Sequence, residues 1–196
     1  MNILETIISK KKVEVKERKA AKSISELDMM PFFAKQTLSL KDFLFRPDKT
    51  GIIAEFKKQS PSKGIINNSS FTGDVVKDYE KYGASAVSVL TDQEFFGGSL
   101  SDLEEAANLL QIPLLRKDFM IDEYQVIESK AYGADIILLI AACLTKEEVK
   151  KLSAGAKNIG LNVLLEIHNE QELEHICDDV DVVGINNRDL TTFKVD

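Results

Sequence analysis

From Ile52 onward the chain alternates short apolar runs with longer stretches whose apolar residues recur every three to four positions. The runs at 52–57, 86–91, 112–117, 135–140, 162–167 and 181–186 read as six strands. They are rich in Ile, Val and Leu, and "DIILLIA" is apolar on both faces. A strand of that composition is buried on both sides, as parallel strands are when helices cover one face and a core fills the other. Successive strands begin about 20 to 34 residues apart, which leaves room for one crossover helix each time.

An internal echo supports the same reading. "KYGASAVSVL" (81–90) and "AYGADIILLI" (131–140) share a Tyr-Gly-Ala junction, and "NIGLNVLLEI" (158–167) is a looser third copy. Gly83, Gly133 and Gly160 fall where a helix would end in a left-handed cap before the next strand. Ordinary helix-to-strand loop chemistry is enough to explain the echo, yet it favours repeated βα units over an antiparallel design. A (β/α) barrel is the first expectation and an open doubly wound sheet the second.

Residues 1–45 are helical in pattern and charged, with Ile3, Leu4, Ile7 and Ile8 on one side of a first helix. Pro31 and Arg46-Pro47-Asp48 punctuate the chain beyond that helix, so 1–45 reads as a helical extension and 46–196 as the βα portion. Lys10-Lys11-Lys12 reads as the solvated side of the first helix.

Composition narrows the function classes. Hydrophobic residues make up 44% and charged residues 29% of the chain, as in a folded globule. The net charge of −7 argues against a nucleic-acid partner, which needs a dominant basic face. No apolar run approaches the roughly 18 to 20 residues that span a bilayer, and charges interrupt the N-terminal segment where a signal peptide would be apolar. Cys143 and Cys177 have no short-range pairing motif, which suits structural thiols in a reducing cytoplasm. His168 and His175 lack a cysteine partner at metal-ligand spacing, and no metal site is expected.

Polar residues gather at one end of the strands. Glu55 and Lys57 end the first strand, Arg116-Lys117-Asp118 the third, Glu166 the fifth with His168 after it, and Asn186-Asn187-Arg188 the sixth. The second leads into Thr91-Asp92 and a mobile-looking "FFGGS" loop. These are C-terminal ends, the face on which (β/α) barrels and open α/β sheets hold their active sites. Alternation puts Glu55 and Lys57 on the face of Ile53, which in a barrel is the interior. Two charges there are costly unless paired or solvated by a pocket. A buried Glu55–Lys57 ion pair without chemistry is the plain alternative, and Lys117 and Glu166 at equivalent heights of other strands weigh against it. His168 reads as a surface or supporting residue, with contact at the site mouth as the alternative. Ser60 and Ser62 either donate to an anion or form a turn around Pro61. Gly97-Gly98 lacks the Lys and Ser/Thr of a phosphate-cradling loop, and no G-x-G-x-x-G follows a strand.

Six segments, in order, carry a resemblance: "IIAEFKKQSPSKG", "AVSVLTDQEFFGGSLSDL", "PLLRKDFMIDEYQV", "YGADIILLIAACL", "LLEIHNEQEL" and "VGINNRDLTTFKVD". The chain from about residue 45 to its end resembles the indole-3-glycerol phosphate synthase family, and the first helices fit that family's N-terminal extension. The resemblance implies a (β/α)8 TIM barrel that converts a carboxyphenylamino-deoxyribulose phosphate to indole glycerol phosphate with loss of CO2 and water. It implies no metal or organic cofactor and a small phosphorylated substrate. Position by position, Lys117 matches the general acid on the substrate ketone, and Glu166 the carboxylate that assists proton transfer in dehydration. Glu55 and Lys57 match a pair that orients catalytic groups and holds substrate anions. Asn186 and Arg188 match a polar pair around the substrate, and Ser60 and Phe96 match pocket residues near the anthranilate ring and its carboxylate.

The sequence stops just after the sixth strand, whereas an eight-unit barrel takes about 250 residues. The expectation is therefore an incomplete barrel of six strands, weak in binding and turnover, whose open edges invite self-association. Two other readings stay open: a Schiff-base aldolase using Lys117, and a non-catalytic partial barrel that needs a complementary chain.

Overall fold

In the computed structural model, residues 2–61, 63–66 and 71–187 are described. The six apolar runs form six strands: β1 (Ile53–Phe56), β2 (Ala86–Leu90), β3 (Leu114–Lys117), β4 (Ile136–Ile140), β5 (Asn162–Ile167) and β6 (Val182–Ile185). All neighbours pair in parallel, and their spatial order is their chain order. A doubly wound sheet would reverse that order at a switch point. Here each βα unit is laid beside the last, which is the rule that curls a sheet into a barrel.

The crossovers are α4 (Thr72–Lys81), α6 (Leu100–Leu109), α7 (Glu123–Ala131) and α8 (Lys146–Asn158), following α1 (Ile3–Ala21), α2 (Ile24–Asp28) and α3 (Leu40–Leu44). Between β5 and β6 the expected helix is replaced by a 3-10 segment, Glu170–His175, because only a short stretch separates the strands. The "FFGGS" stretch is not an open loop. Asp92 caps a single turn, α5 (Gln93–Phe96), and Gly98 donates its N–H back to the Asp92 carbonyl at 2.9 Å. A Cβ at Gly98 would lie 2.0 Å from the Leu90 carbonyl oxygen, so only glycine fits. Gln59–Ser60 and Gly64–Ile65 also pair as a small antiparallel hairpin, which the turn residues of "SPSKG" had disguised.

The three echoed junctions are one motif used three times. Gly83, Gly133 and Gly160 all have φ between 80° and 90°. In each, the residue after the glycine donates its N–H to a carbonyl five positions back: Ala84 to Tyr79, Ala134 to Ser129, Leu161 to Ala156, at 2.9–3.0 Å.

Strand alternation divides the apolar residues into layers. Phe56, Val87, Val89 and Leu114 face α4 and α6, while Ile137, Leu139, Val163 and Leu165 belong to the layer under α8. Ala86, Leu115, Ile136, Leu138, Ile140 and Leu164 fill the interior, joined by Leu4 and Ile7 of α1 and Leu40 of α3. The N-terminal segment is also tied down by polar bonds, since Asp135 accepts the Leu38 N–H at 2.8 Å and Asn162 donates to the Leu38 carbonyl at 3.0 Å.

Lys11 corrects the sequence reading. It is not on the solvated side of α1 but in its buried stripe with Leu4, Ile7 and Val15. Its ammonium lies 2.8 Å from both Asp92 and Asp118 and 2.7 Å from Glu14. Burial opposes this charge, yet Asp118, Asp92 and Glu14 outweigh it and raise its pKa. Asp118 in turn accepts from Arg116 at 3.0 Å and from the Thr91 hydroxyl at 2.6 Å. Arg116, wholly buried, points outward rather than into the barrel and lies 2.9 Å from Glu128 of α7. Removing Lys11 takes the shared cation from two buried carboxylates, leaving Asp92 with the Phe95 N–H and Asp118 with Arg116, Thr91 and the Phe119 N–H. Lys11→Met is expected to cost about 3–5 kcal/mol in urea unfolding, and a loss under about 1 kcal/mol would contradict this account.

Candidate active site

The inward-facing ends of four strands bring their charged residues together. On β1, Glu55 accepts from Lys57 Nζ at 2.5 Å through Oε1, and its Oε2 lies 3.4 Å from Lys117 Nζ of β3. Lys117 is also 3.6 Å from Oε2 of Glu166 on β5. Glu166 Oε1 accepts from Asn186, just beyond β6, at 3.0 Å. The result is an alternating row, Lys57–Glu55–Lys117–Glu166–Asn186, in which each carboxylate oxygen faces a cation or an amide. The Glu55–Lys57 pair exists, but as one end of this row and not as an isolated bridge.

The row lines a cavity of about 310 Å³, within the range of small-molecule sites. Ser60 and Lys63 stand at its rim, while Leu90, Phe96, Phe119, Leu138 and Ile140 form an apolar wall. The rings of Phe96 and Phe119 are 6.2 Å apart and tilted by 38°, leaving a flat apolar face beside the charges. Ser60 Oγ accepts the Lys63 N–H at 3.2 Å, which folds the hairpin over the cavity.

Burial pushes the Glu55 carboxyl up, but Lys117 and Lys57 overcome it and hold its pKa below the usual value. Burial likewise pushes Glu166 up, and His168, Lys117 and Asn186 bring it down to about 2. Both are therefore carboxylates at neutral pH, able to accept a proton and not poised to donate one. Burial, with Glu166 and Glu172 nearby, pushes the Cys143 thiol up to about 12, as suits a structural cysteine.

Of the residues singled out from sequence, Glu55, Lys57, Ser60, Phe96, Lys117, Glu166 and Asn186 share this cavity. Arg188 and Ser62 lie outside the described residues. His168 is no surface residue: its ring is largely covered and Nε2 lies 3.4 Å from Glu166 Oε1. The sequence reading missed Phe119, Leu138 and Ile140 because it followed polar groups. Alternation from Lys117 and along "DIILLIA" was the available signal for the last two. Asp92 and Asp118 also border the cavity, and the sequence reading missed them as site residues.

Six parallel βα strands in an open half-barrel, with alternating charges and an apolar wall at their C-terminal ends, are the arrangement of a (β/α)-barrel enzyme. More specifically, the model of the indole-3-glycerol phosphate synthase family matches residues 4–196, and the chain belongs to that family. A synthase of that name from Bacteroides thetaiotaomicron is 47% identical over 195 residues, covering 100% of this chain and 75% of the relative. Those from Alkaliphilus metalliredigens and Prochlorococcus marinus are 45% and 44% identical, covering 97% and 100% of this chain and 74% and 67% of the relatives. Among solved structures, the carboxyl transferase domain of Rhizobium etli pyruvate carboxylase with 3-bromopyruvate superposes with a TM-score of 0.51 at 13% identity. That match covers 70% of this chain and 28% of the other, and it shares the fold alone.

Because the folded pKa of Glu166 is depressed, its stabilisation is present above about pH 4.5 and is lost as pH falls toward about 2. Melting temperatures between pH 5 and 2.5 should fall less steeply for Glu166→Gln than for the unsubstituted chain. Identical slopes would contradict the depressed value.

Proposed function

We propose that the site carries out the family's ring closure on 1-(2-carboxyphenylamino)-1-deoxyribulose 5-phosphate, releasing CO2 and water to form indole-3-glycerol phosphate in tryptophan biosynthesis. The observation that carries this reading is Lys117, a cation between two carboxylates beside an aromatic wall. When the electron-rich ring carbon attacks the ketone, charge develops on the ketone oxygen, and an ammonium within reach stabilises and protonates it. Lys117 is the general acid in this scheme. CO2 then leaves the ring carbon, and expulsion of the new hydroxyl with loss of a proton restores the aromatic indole. Glu166, a carboxylate on another strand, takes that proton.

Glu55 orients Lys117 and Lys57, and Lys57 meets a substrate anion. Phe96 packs on the anthranilate ring, Ser60 donates toward its carboxylate, and Asn186 borders the substrate; Arg188, which the family resemblance pairs with it, lies outside the described residues. A net-acidic chain of −7 recruits such a substrate only by concentrating cations in one pocket, as Lys57, Lys63 and Lys117 do at this rim. The cytoplasm is the compartment this reading implies. In support, both cysteines are free thiols, and among the described residues no helix is long and apolar enough to cross a membrane.

Steady-state product formation tests the roles. Lys117→Ala and Glu166→Gln are each expected to lower kcat by about 100-fold or more relative to the unsubstituted protein. Unchanged turnover in either variant overturns its role. Borohydride treatment in the presence of a keto-sugar phosphate should leave Lys117 unmodified, whereas a trapped adduct there would favour Schiff-base chemistry.

A further inference from the structure

We propose that His168, backed by Glu172, is the positioning residue that keeps Glu166 ionised and aimed during ring closure, an inference that rests on the function given above. The His168 ring lies between two carboxylates: Nε2 is 3.4 Å from Glu166 Oε1, and Nδ1 is 3.2 Å from Glu172 Oε2. Glu172 is itself held in place. Its Oε2 accepts the backbone N–H of His168 at 2.8 Å, and its Oε1 accepts from Asn169 Nδ2 at 2.9 Å. Asn169 Oδ1 returns the bond by accepting the Glu172 N–H at 3.1 Å. The ring therefore cannot turn away from Glu166 without breaking this clasp.

A neutral imidazole has one donor and one acceptor nitrogen, so between two carboxylates it would turn a lone pair on one of them. The imidazolium turns an N–H toward each, hydrogen-bonding Glu172 through Nδ1 and facing Glu166 through Nε2, a buried nitrogen whose 3.4 Å contact with that carboxylate is an ion pair and not a hydrogen bond. The other titratable groups nearby are Lys117, facing Glu166, and the Cys143 thiol, which lies close enough to feel both carboxylates. His175 points Nδ1 at the Glu172 carbonyl, 3.2 Å away. Consistent with this geometry, Glu166 foremost, and then Glu172, raise the pKa of His168 against the opposing effect of burial.

The consequence for Glu166 is a division of labour between its two oxygens. Oε1 is engaged by Asn186 and His168, while Oε2 is turned toward Lys117 and the cavity. A proton leaving the substrate thus meets one defined oxygen whose carboxylate form is maintained by a cation behind it. His168 is not among the residues that line the cavity, and the lining residue it meets is Glu166, so it acts through that carboxylate.

The chain has two histidines, so nitrogen-15 imidazole spectra of His175→Gln isolate His168. The His168 ring should titrate above the ordinary value of about 6.5, and Glu172→Gln should lower that midpoint. A midpoint at or below the ordinary value overturns the proposal. In kinetics, His168→Gln should lower kcat about tenfold with KM changed less than about twofold, and the acidic limb of the kcat profile should move to higher pH. A merely structural role would lower the melting temperature and leave that limb in place, which also overturns the proposal. Should His168→Gln fail to fold, the Glu172→Gln titration still decides. Absence of synthase activity in the unsubstituted protein would overturn the functional reading alone, since the nitrogen-15 titration judges the His168–Glu166 contact independently.

Discussion

The carboxylate of Asp118 joins the scaffold to the site. It follows Lys117 directly in the chain and receives Lys11 from α1, Arg116 from its own strand, the Thr91 hydroxyl and the Phe119 N–H. Buried, it needs those donors, and burial's upward push on its pKa is overcome first by Lys11 and then by Arg116. Lys11 and Thr91 belong to other pieces of the fold, while Arg116 and Phe119 flank Asp118 in its own segment. Once Asp118 is satisfied, α1 is docked, the end of β2 is attached, and the backbone flanking Lys117 has no freedom to move.

The same electrostatic logic continues on the other side of β3. Arg116 and Lys117 are neighbours in sequence, and the pleat sends them in opposite directions. Arg116 goes to Asp118 and Glu128 in a buried layer, where its charge is structural. Lys117 goes to Glu55 and Glu166 beside a cavity, where it is half-covered and reachable. Chemistry needs the second environment, because a cation locked among fixed partners has no proton to give to a substrate. The buried network supplies rigidity and the cavity row supplies reactivity, and a single strand carries both.

Much of this was legible beforehand. The six strands fall within one or two residues of where apolar runs placed them, because two-sided burial leaves little choice but Ile, Val and Leu. The three αβ junctions were legible because a left-handed cap selects glycine. Glu55, Lys57, Lys117, Glu166 and Asn186 stood out as polar residues at the ends of apolar strands. The apolar wall did not, since Phe119, Leu138 and Ile140 look like any core residue until the cavity is seen. Lys11 was misread because three consecutive lysines suggest solvent, although one of them sits in the helix's buried stripe.

By itself, then, the sequence determined the repeated βα units, the end of the strands that bears the chemistry, and the family. The first two are consequences of local periodicity, glycine placement and residue type, which need no partner to be read, and the family rests on the resemblance of six ordered motifs. Only the tertiary structure decided which charge meets which: Lys11 with Asp92 and Asp118, Lys117 between Glu55 and Glu166, His168 between Glu166 and Glu172. Electrostatic energy depends on distances across strands and helices, and those distances exist only after the sheet has curled and α1 has docked.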